Sequence, residues 1–123
     1  MPIPILVRDV MTPDPMAVPP SLPLGVAAAQ MRERGIRHLP VVLDGALIGV
    51  VSNKDLARGG ATVGEAMTAN PMTVRTEDRV EVAAAAMALH KVSCLPVLED
   101  VRLVGIVTTY DLLDALARRL RDR

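Results

Sequence analysis

The apolar positions of this chain follow two rhythms, and each rhythm occurs twice. Arg37 to Leu43 and Ala46 to Val51 read as β-strands around Asp44-Gly45, a strong two-residue hairpin signal. Ser93 to Glu99 and Arg102 to Val107 repeat the pattern around Asp100-Val101. That second turn is weaker, because valine disfavours positive φ. Ahead of each hairpin lies a helical stretch. The first spans about Leu24 to Arg34, with Ser21 as N-cap and Pro23 in the first turn. The second spans about Arg79 to His90, with Asp78 or Thr76 as cap. Their alanine tracts, Ala27 to Ala29 and Ala83 to Ala86, suit close helix packing. Proline-marked extended segments, Pro15 to Val18 and Pro71 to Val74, precede the helices. After each hairpin another helix begins, behind Ser52 and behind Thr108. Gly59-Gly60 ends the first, and the second runs from about Tyr110 towards the C-terminus. The order β-α-β-β-α, read twice, predicts an α/β fold.

The duplication extends to individual residues. An offset of 56 places Met11-Thr12 on Met67-Thr68, Leu39-Pro40-Val41 on Leu95-Pro96-Val97, and Gly49 to Leu56 on Gly105 to Leu112. From Val7 to Leu56, 20 of 50 paired positions are identical, too many for chance. Two copies of this length predict a pseudo-symmetric pair rather than a solenoid. The expected units are residues 7–60 and 61–118.

Composition narrows the functional classes. Tyr110 is the one aromatic residue, so the core must be aliphatic. Lys and Arg balance Asp and Glu at 14 each, which argues against general nucleic-acid or anionic-membrane binding. A single cysteine, Cys94, excludes an internal disulfide and suits a reducing compartment. The first residues lack the basic start and long apolar core of a signal peptide, and no apolar run is long enough for a membrane span. A cytoplasmic protein is expected.

Candidate chemistry gathers where the hairpin meets the following helix. Gly49, Ser52 and Asp55, and equally Gly105, Thr108 and Asp111, form the pattern Gly-x-x-Ser/Thr-x-x-Asp. One reading is a capping box, with Asp in place of the usual Glu or Gln. The other is a ligand site. A helix start presents free N–H groups, glycine lets a ligand approach the backbone, and a carboxylate one turn in accepts ribose hydroxyls. Cys94 and His90 make no nucleophile pair, because no acid orients the histidine, and no zinc spacing occurs. No catalytic residue, metal or required cofactor is expected. Leu112, Leu113, Leu116 and Leu120 give the last helix an apolar stripe, and Arg118 to Arg123 form a basic end.

The doubled unit, the Met-Thr segments, the Leu-Pro-Val strands and the Gly-x-x-Ser/Thr-x-x-Asp junctions together resemble a tandem pair of CBS domains, a Bateman module. The resemblance covers about Val7 to Leu113. It implies two β-α-β-β-α repeats packed as one disc-like module. It also implies a regulatory role, with adenosine-containing ligands such as AMP, ADP, ATP, S-adenosylmethionine or NAD in clefts between the repeats. By position, Asp55 and Asp111 would hold ribose hydroxyls, with Ser52 and Thr108 near the ribose or phosphate. Leu39-Pro40 and Leu95-Pro96 would wall the adenine, and Val18 and Val74 would offer backbone contacts. Arg37 and His38 match phosphate-gripping positions, where the second copy has Ser93 and Cys94. Lys54 and Tyr110 share one slot beside the acids; the first suits a phosphate, and the second suits either a base or partial core. The first copy is therefore expected to prefer phosphorylated ligands. A homodimer and an effector protein are the partners the resemblance implies. The competing reading is a dimerisation or docking module in which both junctions only cap helices.

Overall fold

The structure, a computed structural model, describes residues 3–121. Its first half runs α1 (Val7–Val10), β1 (Thr12–Pro13), α2 (Leu24–Arg34), β2 (His38–Leu43), β3 (Ala46–Ser52) and α3 (Asn53–Arg58). The second half repeats this as α4 (Val63–Ala66), β4 (Thr68–Ala69), β5 (Val74–Arg75), α5 (Val80–His90), β6 (Cys94–Glu99), β7 (Arg102–Thr108) and α6 (Thr109–Arg121). The long helices and the hairpin strands are those the sequence predicts, and a short helix and a two-residue strand are added at the head of each copy.

The chain condenses into two compact units that are offset from the sequence repeats. One is Pro15–Pro71; the other joins Met1–Asp14 to Met72–Arg123. In the first, the sheet order is β2-β3-β4; in the second it is β1-β7-β6-β5. Each Met-Thr segment thus pairs with the last strand of the other copy. Thr12 aligns with Ile106, and Thr68 with Val50, both antiparallel. The expected strand from Pro15 shrinks to one parallel bridge, Val18 to Val41, while Val74–Arg75 pairs in parallel with Val97–Leu98.

Each unit has its own aliphatic core, and the cores correspond. Val18, Ala27, Met31, Leu39, Val41, Val51 and Val63 are buried together in one. Val74, Ala83, Met87, Leu95, Val97, Val107 and Val7 take the same places in the other. Every pair is the same residue type 56 positions apart, save that Val7 and Val63 have changed units. Aliphatic burial of this kind is the main favourable term for so small an assembly.

Two helix caps differ from expectation. Neither α2 nor α5 receives a side-chain cap, so Ser21, Asp78 and Thr76 do not serve there. Instead the chain itself supplies acceptors: Leu24 N–H donates to Ala61 O at 3.0 Å, and Val80 N–H to Ile5 O at 3.0 Å. Asp78 accepts from Arg75 N–H at 2.8 Å and shapes the preceding turn. The two hairpins share one register, including the irregularity after Val41 and Val97. Asp44 and Gly45 both take positive φ, as expected for Asp-Gly. At the second turn Asp100 alone does so, and Val101 escapes the penalty that weakened the sequence signal.

The ends of α2 and α5 provide a stability test. Gly35 closes α2 with φ 64, and Lys91 closes α5 with φ 55. Only glycine adopts this left-handed geometry without a Cβ penalty. Lys91→Gly should therefore raise stability by about 0.5–1 kcal/mol despite the looser unfolded chain. A higher urea midpoint at unchanged slope is the expected readout.

Candidate functional site

In the Pro15–Pro71 unit, pairing of β2 with β3 sets His38 opposite Ser52. Asn53 N–H then donates to Arg37 O at 3.0 Å, which closes the strand start onto the helix start. Arg37, His38, Ser52, Lys54 and Asp55 thus share one junction, as the sequence suggested. Ser52 Oγ accepts from Asp55 N–H at 3.3 Å, while Asp55 Oδ2 accepts from Ser52 N–H at 2.8 Å and from Ser52 Oγ–H at 3.1 Å. The capping box is complete. Asp55 Oδ1 accepts from Arg58, whose Nη2 also reaches Ala66 O at 3.4 Å. Asp55 is only 6% exposed, whereas Arg37 and Lys54 lie in solvent.

The two phosphate-gripping candidates, Arg37 and His38, differ in charge. Burial holds the His38 imidazole below its ordinary 6.5; Asp55 opposes that shift, and Arg37 and Lys54 reinforce it. His38 is therefore mostly neutral at physiological pH. The cations here are Arg37, Lys54 and the Asp55-bound Arg58, with the His38 ring beside them.

The other unit builds the same junction with other side chains. Cys94 faces Thr108 across the hairpin, and Thr109 N–H donates to Ser93 O at 3.0 Å. Asp111 Oδ2 accepts from Thr108 N–H at 2.8 Å and from Thr108 Oγ1–H at 3.0 Å; Thr108 Oγ1 accepts from Asp111 N–H at 3.3 Å. Among the described residues no donor reaches Asp111 Oδ1. Tyr110 is 73% exposed, so the reading of a partly buried ring is corrected: a helix start leaves this slot facing solvent. Cys94 is buried, and burial, aided by Asp111, raises its thiol to about 12. It is a protonated core group at neutral pH, and His90 lies exposed at the end of α5.

Several expected contacts change character. The side chains of Leu39, Pro40, Leu95 and Pro96 are fully buried, with Leu39 and Leu95 inside the two cores. Each leucine enters a core, and the proline beside it is buried as well. Val18 and Val74 are buried too. Val18 N–H donates to Pro40 O at 3.0 Å and its carbonyl accepts from Val42 N–H at 2.9 Å, so its backbone already serves the sheet. The space over Gly49 and Gly105 is also taken, by the Met67 and Met11 side chains. Each glycine lets the neighbouring Met-Thr segment pass close to its strand. Leu112 leaves the predicted stripe and packs on the core, while Leu113, Leu116 and Leu120 stay exposed.

Two features escaped the sequence reading. Thr62 and Glu65 form a capping box at α4 that the Thr-x-x-Glu spacing announces. Arg58 carries no motif at all. Among the described residues, no group of three or more His, Cys, Asp or Glu side chains is placed to hold a metal ion. No helix there is long and apolar enough to cross a membrane.

The chain is 31% identical to a homoserine O-acetyltransferase of Methanosphaerula palustris, over 92% of its own length but 24% of that enzyme. It thus spans about a quarter of the enzymes it matches, and the likeness lies in that portion. A CBS domain-containing protein of Bacillus subtilis, YhcV, is 32% identical over 86% of this chain and 81% of its own. Among solved structures, the CBS domain pair of protein MJ0100, in complex with 5′-methylthioadenosine and S-adenosyl-L-methionine, matches with TM-score 0.89 and 30% identity, covering 95% of this chain and 99% of that one. CBSX2 in complex with AMP matches with TM-score 0.85 and 32% identity, covering 93% and 97%. The CBS domain model itself matches residues 7–61 and again residues 63–118, so the chain is a tandem CBS pair and belongs to the CBS domain family.

Proposed function

We propose that this protein is a regulatory sensor that binds an adenosine-containing ligand, and not an enzyme. The observation that carries the reading is the Asp111 carboxylate. Thr108 orients it through one oxygen, and among the described residues no donor reaches the other. A fixed carboxylate with a spare acceptor suits a ribose diol. The adenosyl ligands in the MJ0100 and CBSX2 complexes support the same ligand class.

The junctions differ in the group they favour. Arg37 and Lys54 around Ser52 and Asp55 suit a phosphate, as in AMP or ATP. Ser93, Thr108 and Tyr110 around Asp111 offer hydroxyls and one aromatic ring, which suit an uncharged adenosyl group such as 5′-methylthioadenosine. Signalling would proceed by population shift: the ligand stabilises the arrangement that binds it, and an effector protein reads that arrangement. Tyr110, Leu113, Leu116 and Leu120 leave one side of α6 apolar and exposed, which supports a homodimer through that helix. The buried thiol of Cys94 and the balanced charge fit a cytoplasmic protein.

Thermal unfolding against AMP, ADP, ATP, S-adenosylmethionine, NAD and adenosine, with GTP as control, tests the reading. A ligand at 100 times its Kd should stabilise the protein by about 2.7 kcal/mol. Asp111→Ala should lose that gain for the ligand it holds, while losing about 1 kcal/mol of intrinsic stability as a helix cap. The complete capping boxes favour one rival, a docking module without a ligand. In that case no nucleotide moves the transition and only the cap loss appears.

A further inference from the structure

The two acids are equivalent in sequence but not in availability. Asp55 has one oxygen on the Ser52 cap and the other on Arg58, and it is buried. Asp111 has the same cap and, among the described residues, no cation on its second oxygen. The difference traces to one position. Arg58 shifted by 56 is Asp114, whose own carboxylate pairs with Arg118 at 2.8 Å. An acid at that place has nothing to donate to Asp111. Arg58 is held further by Ala66 O, on α4 at the head of the second copy. Its side chain is 65% exposed, against 9% for that of Asp55.

We propose that Arg58 is a latch that sets the occupancy of the module: it closes the Asp55 junction and leaves the Asp111 junction as the strong adenosyl site. The inference rests on the sensor reading above and adds a specificity determinant to it. A ribose hydroxyl donates to a carboxylate oxygen, and the guanidinium competes for that same oxygen as a charged donor. Ligand entry at Asp55 is therefore opposed by a charged donor already on that oxygen. Entry at Asp111 meets no such donor among the described residues. The phosphate-binding cations Arg37 and Lys54 thus stand at the junction with the occupied acid, which makes that junction selective for ligands whose phosphate compensates for the displaced pair.

Isothermal titration calorimetry of the full chain, with AMP and with 5′-methylthioadenosine as probes, reads this directly. The wild type should show one strong site per chain, removed by Asp111→Asn and kept in Asp55→Asn. Arg58→Met preserves the stem of an exposed side chain and removes its donors. It should add a second site per chain, strengthened about tenfold over the wild-type Asp55 junction, equivalent to roughly 1.4 kcal/mol. The double variant Arg58→Met, Asp111→Asn should retain a single site. Two equal sites in the wild type, unmoved by Arg58→Met, would overturn the latch and leave the sensor reading standing. Loss of the strong site in Asp55→Asn rather than Asp111→Asn would do the same. Absence of binding in every variant, with each shown folded by its urea transition, would remove the sensor reading and the latch with it.

Discussion

Leu95→Ala should destabilise the protein by about 3–4 kcal/mol, and Leu39→Ala should cost about as much. Both leucines are 0% exposed and sit at matching points of the two cores. Leu95 lies on β6, between β7 and β5, and faces Val107 in register. Its neighbours come from three directions. Val74 and Val97 approach along the sheet, Ala83 and Met87 from α5, and Val7 from the head of the chain. A cavity among residues held by so many separate segments closes poorly, which places the cost in the upper part of the range for buried leucines. A urea titration should show the lower midpoint. Adenosyl ligands provide the discriminating readout. A leucine that walls an adenine pocket would lose affinity on truncation, whereas a core leucine loses stability. Under conditions where Leu95→Ala is still folded, its Kd should match that of the wild type.

The repeat made most of the architecture legible. Identity at an offset of 56 marked the paired core positions, because a buried side chain in one copy has a buried counterpart in the other. The Asp-Gly turn and the Ser/Thr-x-x-Asp junctions were legible because their spacing has a local cause, in φ preference and in helix capping. The exchange of head segments was not. Val7 and Val63 are the same residue, so a pattern that aligns them cannot say which copy's core each enters. Nor was Arg58 legible, since its role depends on where its guanidinium lies and not on any recurring spacing. The Leu-Pro pairs carried the family resemblance, and the sequence did not show that both residues of each pair are fully buried.

Gly49→Ala should cost about 2–3 kcal/mol, and Gly105→Ala somewhat less, as added atoms in a packed interior do. A Cβ on Gly49 would stand 2.5 Å from Met67 Sδ and 2.8 Å from Thr68 O. The sulfur can move, because a methionine side chain has rotamers to spare. The carbonyl cannot, because Thr68 aligns with Val50 and Ala69 with Gly49 in the β3–β4 pairing. At Gly105 the Met11 side chain is equally close, but the Thr12 carbonyl is 3.1 Å away, so less backbone must shift. The two variants therefore rank by their carbonyl distances. Combining Gly49→Ala with Met67→Ala should recover only the part of the loss that belongs to the sulfur. If instead these glycines keep the junction open for a ligand, Gly49→Ala would leave the unfolding transition in place and abolish nucleotide binding. The close seats of Met11 and Met67 argue for the first outcome, since they show what each glycine already accommodates: the strand that the other copy sends across.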